Sequence, residues 1–434
     1  MPARASKISI GIIILLMTII SANLNWGKDY WKSIIKADAK GYYAYLPAVF
    51  IYGDLNFDFF QEIEGEKYFN INLYYDYRAC ADGKVVNKYY CGTAAAQLPF
   101  FIIAHGLSYL RHADMDGYSK LYPVLINISA LFYLLLGLFY LDSTLILYKI
   151  STKYRCITLF AAVFGTNLFY YTVVEPGTSH IYSFAFIAMF LYYGKQYFLY
   201  AGKKNISILA ALLGMIVLIR PLNGLIILIL PFLAGNFNTL RQGLVTAFKD
   251  KLRLIYSGCL FLSIVFIQLL IYKISTGQFI IYAYGEEGFN FLHPHFIDIL
   301  FSYRKGLFLY TPMFLLSFTG GWYLWKYNKF EFYTWFGFFI LITYVLSSWW
   351  MWYYGGSFSS RVYVEYIPLF MILLGMALEG IRSKFFKLVF ISVVILLVGW
   401  CQIQTYQYRY YVIHWSGMTK EMYWESVYHI YKLK

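Results

Sequence analysis

The sequence predicts an all-α integral membrane protein: a polytopic bundle of about eleven transmembrane helices with a long structured first external loop. Three observations predict it. The 434 residues are 60% hydrophobic and only 13% charged, and long apolar runs recur throughout the chain. The formal charge of +14 falls on one side once those runs are set across a membrane. Aromatic residues reach 22%, more than two interfacial belts need, which predicts a cavity lined by rings.

Taken in order, residues 1–24 hold the first transmembrane helix, whose apolar run Ile8 to Ile20 follows a short basic stretch. The same stretch also fits a signal peptide cleaved near Ser21–Ala22; the charge pattern favours its retention. Residues 25–119 form the first external loop, with an amphipathic helix over Tyr42 to Tyr52 and a hairpin turn at Asp82-Gly83. Gly92 to Leu110 is apolar enough to span, but a span there would invert every later loop, so it is expected as a juxtamembrane or re-entrant helix. Residues 120–403 form the bundle, with spans near 120–147, 157–173, 181–195, 206–220, 222–235, 254–273, 307–325, 331–348, 363–381 and 385–403. Residues 404–434 are an external tail.

On this topology the inner segments carry seventeen basic residues, among them Arg4, Lys149, Lys203, Lys249 and Lys384, against Asp250, Glu331 and Glu379. The outer segments are nearly neutral. The N-terminus is then cytoplasmic and the C-terminus external. Anionic lipid headgroups account for the basic balance, and nucleic acid is not needed as a partner. The outer segments lack any Asn-x-Ser/Thr site, which favours a bacterial inner membrane. Of the five cysteines only Cys80 and Cys91 fall in an external loop, and a hairpin at Asp82-Gly83 would set Cys80 opposite Val85 and Cys91 near Tyr74. Free thiols are expected.

Ionisable residues at membrane depth are costly and mark function. Five groups on the outer face stand out. They are Asp38 within Lys36-Ala-Asp-Ala-Lys-Gly-Tyr42; Glu175 and His180 flanking Pro176-Gly177; Arg220 before Pro221; Arg304-Lys305; and Arg361 with Glu365, after the Trp349–Trp352 cluster. Each has a plainer reading. Asp38 reads as a solvated loop acid, Glu175 and His180 as caps of a turn, Arg220 and Arg304-Lys305 as interfacial anchors, and Arg361–Glu365 as an i,i+4 pair. Their convergence on one face argues for one site. There a phosphate leaving group needs cations, an acceptor hydroxyl needs a base, and Tyr42 and Trp352 offer ring faces to sugar and lipid.

These features resemble the GT-C superfamily of integral-membrane glycosyltransferases. The resemblance rests on an acidic residue in the first external loop just after helix 1 (Asp38), juxtamembrane helices in that loop, and a second acidic residue in the next external loop (Glu175). It implies inverting transfer of a sugar from a polyprenyl-phosphate donor to a hydroxyl of a glycan, lipid or protein acceptor. Asp38 and Glu175 would be catalytic, and Arg220, Arg304, Lys305, Arg361, His180, Tyr42 and Trp352 would bind substrate. The chain departs from the pattern in having no second acid beside Asp38 and no large C-terminal domain. A divalent metal stays open, since His180 with Glu175 supplies only two donors. Two other classes remain: a flippase for lipid-linked sugars and an O-antigen polymerase or ligase.

Overall fold

The computed structural model describes residues 2–81, 83–200, 202 and 204–430. Asp82, Lys203, the side chain of Arg4 and the tail beyond Ile430 lie outside the described residues. The chain is mostly helical. Its helices are α1 Pro2–Ser21, α2 Asp38–Pro47, α3 Gly92–Leu110, α4 Leu121–Leu147, α5 Thr152–Phe164, α6 Leu168–Val173, α7 Ser179–Tyr200, α8 Lys204–Ile219, α9 Leu230–Ala234, α10 Phe237–Lys249 and α11 Lys251–Thr276. They continue as α12 Phe296–Phe301, α13 Leu307–Tyr310, α14 Met313–Tyr327, α15 Lys329–Ser347, α16 Ile367–Gly380, α17 Lys384–Arg409 and α18 Lys420–Tyr428.

Among the described residues, seven helical stretches are long and apolar enough to cross a membrane: Ala5–Trp26, Gly92–Leu110, Leu121–Leu147, Lys251–Thr276, Lys329–Ser347, Arg361–Gly380 and Lys384–Arg409. The protein is therefore a helical membrane protein with seven such helices where the sequence predicts about eleven spans. The difference has local causes. The run 157–173 is divided at Gly165–Asn167 into α5 and α6. α8 and Pro221–Ala234 are shorter apolar helical stretches that meet at Arg220-Pro221. Proline lacks the N–H that would continue α8, and Arg220 before it takes an extended backbone (φ −150°, ψ 110°). The span expected near 307–325 is interrupted at Thr311-Pro312. Gly92–Leu110, expected along the surface, is by length and composition one of the seven.

Residues assigned to one face by charge meet one another. On the inner-assigned face, Arg155 Nε donates to Asp142 Oδ1 at 2.7 Å, and Ser6 Oγ donates to Asp142 Oδ2 at 2.9 Å. Far apart in sequence, Lys195 pairs with Glu331 at 3.7 Å, and the Ser151 N–H donates to Glu379. Asp142, Arg155, Lys195 and Glu331 are buried and each has an opposite charge beside it, as burial requires.

Residues 25–119 contribute most of a second hydrophobic core. Tyr43, Tyr45, Phe57, Phe60 and Tyr77 pack with Phe101 and Tyr122. α2 lies alongside α3, and Tyr43 Oη donates to the Gly117 carbonyl beyond the end of α3. Strands β1 Arg78–Ala81 and β2 Lys84–Asn87 form an antiparallel hairpin that sets Cys80 opposite Val85. The strands stop before Cys91, which caps the start of α3, so no ladder places it near Tyr74. Cys80 and Cys91 are both free.

Candidate functional site

Asp38 is the first residue of α2, where a carboxylate complements the helix N-terminus. Ala37 before it is held at φ 47°, a conformation that L residues rarely adopt and that strains the backbone where the side chain is aimed. Asp38 Oδ2 lies 2.8 Å from Arg361 Nη2, and Tyr89 Oη donates to Oδ1 at 2.8 Å. Gly41 makes this possible, because a Cβ at that position would overlap the Tyr89 ring. Tyr89 Oη is in turn 2.6 Å from Tyr75 Oη. Burial pushes the Asp38 carboxyl up, but Arg361, the Tyr89 hydroxyl and His180 together pull harder, and the group ends below its ordinary value. The neighbouring lysines point elsewhere: Lys36 lies 3.9 Å from Glu175, and Lys40 pairs with buried Glu64. Asp29 pairs with Lys32 at 3.2 Å in solvent.

Arg361 begins a 3-10 segment, Arg361–Tyr366, that leads into α16. Three residues per turn put positions i and i+4 on different sides, so Glu365 turns away from Arg361. Glu365 is fully buried and receives Arg220 Nη1 at 2.9 Å, with His180 Nδ1 at 3.0 Å. Two ion pairs, Asp38–Arg361 and Glu365–Arg220, thus stand side by side where the sequence suggests Arg361–Glu365. Each joins a residue more than 100 positions upstream to one of the 3-10 segment.

Both pairs border a cavity of about 1750 Å³. Asp38, Tyr42, Glu175, Arg220 and Arg361 lie on its wall. Glu175 accepts from Tyr170 Oη at 3.1 Å. One limb is apolar, with Leu222, Leu225, Ile281, Phe289, Phe291 and Val345. Glu175, Tyr170, Tyr408, Tyr411 and Trp415 also line the cavity, with Tyr170 joining Glu175 to Tyr408. Lys88 and Glu287, also on the wall, form an ion pair that ties the segment before α3 to the segment after α11.

Four of the residues expected to bind substrate are not on that wall. His180 lies behind it, against Glu365. Arg304 stacks 3.3 Å from the Tyr353 ring centroid and donates to the Ser416 carbonyl. Lys305 is buried, donating to the carbonyls of Ser357 and Trp415, and burial pushes its amine down to about 7 although Glu175 opposes the shift. Trp352 stacks on His295. Arg304 and Lys305 therefore clamp the C-terminal segment. Tyr89 and Arg409 are on the wall and carry no sequence signal beyond their residue type. Among the described residues no group of three or more His, Cys, Asp or Glu side chains is placed to hold a metal ion. The two wall carboxylates nearest each other in role, Asp38 and Glu175, each face a cation instead. No protein-family model matches the sequence, and no curated protein matches it.

Proposed function

We propose that the protein is an inverting membrane glycosyltransferase of GT-C type, moving a sugar from a polyprenyl-phosphate donor to an acceptor hydroxyl on the external face, with Asp38 as general base. The observation that carries this reading is Asp38 on the cavity wall, oriented by Arg361 and Tyr89, with Arg220 and an apolar limb on the same wall. The about eleven crossings belong to the proposal. Six of the long helices cross, α7 and four shorter or interrupted stretches cross beside them, and α3 runs along the outer surface with α2.

In this reading the lipid chain occupies the apolar limb, and its phosphate meets the guanidinium groups of Arg220 and Arg361, which offer forked donors to phosphate oxygens. Asp38 is ionised at neutral pH and accepts the proton of the acceptor hydroxyl. The hydroxyl oxygen attacks the anomeric carbon, the bond from that carbon to the phosphate oxygen breaks, and the electron pair leaves with the phosphate. Attack opposite the leaving group inverts the anomeric centre. Phosphate needs no proton to leave, which suits a site whose cations outnumber its acids. Glu175, bonded by Tyr170, stands where it can bind the acceptor.

Asp38→Asn tests the reading. The amide keeps the shape and still accepts from Tyr89, so folded protein should accumulate and donor should bind, while transfer falls by about 10²–10⁴-fold. Asp29→Asn should leave transfer nearly unchanged. Near-wild-type transfer by purified Asp38→Asn enzyme would sink the proposal.

A further inference from the structure

The cavity wall carries five cations, Lys36, Lys88, Arg220, Arg361 and Arg409, and three carboxylates, Asp38, Glu175 and Glu287. Four of the cations are already matched. Lys36 faces Glu175, Lys88 pairs with Glu287, Arg361 with Asp38, and Arg220 with Glu365 just behind the wall. Arg409 makes no ion pair among the described residues, and its Nη1 is buried with no hydrogen-bond partner. Its guanidinium lies 5.9 Å from the Tyr410 ring centroid.

A cation in the last turn of α17 is favourable for the helix dipole, but that leaves its charge on the wall without a counter-ion among the described residues. The place of Arg409 is also informative. It follows Tyr408, whose ring packs 5.3 Å from Tyr170, the residue that donates to Glu175. It therefore lies on the wall next in sequence to the Tyr408–Tyr170–Glu175 group. A donor whose lipid fills the apolar limb leaves this part of the wall to the acceptor.

We infer that Arg409 binds an anionic group, phosphate or carboxylate, on the acceptor, so that the hydroxyl presented to Asp38 belongs to an acidic or phosphorylated glycan. Naming the ligand as acceptor rests on the transferase reading; the anion site does not. Its charge is the surplus of the wall, and a forked donor suits either anion.

Calorimetry on the full-length protein in detergent, with glucuronate, glucose 6-phosphate and neutral glucose as probes, tests the inference. Both acidic sugars should bind at least about tenfold more tightly than glucose, the gain of a charge-assisted contact. Arg409→Gln should shrink that gap below about threefold, Arg409→Lys should retain most of it, and Arg220→Gln should leave it intact. Should Arg409→Gln fail to fold, excess inorganic phosphate added to the wild type should close the gap instead. A wild type without the preference, or a preference that survives Arg409→Gln or excess phosphate, overturns the site. Preference for glucuronate alone or glucose 6-phosphate alone identifies which anion the site takes and supports it. If the preference holds while Asp38→Asn still transfers normally, the transferase reading fails and the anion site stands. If the preference is missing while Asp38→Asn is inactive, only the anion site fails.

Discussion

Arg361 Nη2 reaches Asp38 Oδ2 at 2.8 Å, so the carboxylate at the start of α2 is held by a cation from the far end of the bundle. Both side chains are mostly shielded, 17% and 21% exposed, and removing either leaves the other short of a partner. Unfolding in detergent of Asp38→Asn, Arg361→Gln and the double variant should show coupling of about 0.5–3 kcal/mol. Strict additivity would mean that the pair contributes nothing to the fold. The pair also sets a pH dependence. The folded Asp38 pKa is lowered, so its stabilisation is full above the unfolded value of about 3.9 and is lost only as pH falls through the lower folded value. Transfer should therefore show no acid limb from this group between about pH 5 and 7. Such a limb, abolished by Arg361→Gln, would contradict the assignment.

Gly41→Ala should act through Tyr89. The added methyl overlaps the Tyr89 ring and pushes its hydroxyl off Asp38. Tyr89→Phe removes the same bond without the clash, at a cost of about 1.5–3 kcal/mol for a bond to a charged group. Transfer should fall in both, and thermal stability should fall further in Gly41→Ala. Normal activity in both variants would make the Tyr89 contact incidental.

Lys305 predicts a pH dependence of the opposite sign. Its folded pKa, about 7, lies below the unfolded value of about 10.4, so the folded state holds fewer protons between them. Its contribution to stability should rise with pH across that window. The difference in melting temperature between wild type and Lys305→Met should grow in favour of the wild type from pH 7 to pH 10. A flat difference would remove the shift.

Membrane orientation is checked by cysteine reporters at exposed positions. Lys249 and Lys384 should be protected from an impermeant reagent added outside intact cells, and Lys84 and Glu421 should react. Labelling of the first two from outside would reverse the topology and place Asp38 on the cytoplasmic side.

Much of the site was legible because charge near a membrane is expensive. Asp38, Glu175, Arg220 and Arg361 stood out on that ground and share one cavity wall. Their pairing was not legible. An i,i+4 rule joins Arg361 to Glu365 only in an α-helix, and the backbone there is 3-10. Lys36 and Lys40 flank Asp38 in sequence, yet a helix start turns them toward Glu175 and Glu64. The direction of the Asp38 shift depends on Arg361, a contact no local pattern encodes. Arg304 and Lys305 looked like ligand cations because sequence shows charge but not the carbonyls of Ser357, Trp415 and Ser416 that receive them. The interrupted spans reflect the same limit: hydropathy registers Ile and Leu on both sides of Arg220-Pro221, and the break is stereochemical.

The two crossed ion pairs have a consequence for biogenesis. Ribosomes deliver the chain from its N-terminus, at about 5–20 residues per second. Asp38 therefore waits roughly 15–65 s before Arg361 is even synthesised. Arg220 waits likewise for Glu365, the partner that neutralises it. During that interval the wall of the cavity is unbuilt, and a nascent carboxylate without a counter-ion stays with water rather than entering an apolar interior. The last helices to be inserted act as a proofreading step: a product truncated before the 3-10 segment keeps an open, charged cleft for quality-control proteases to detect.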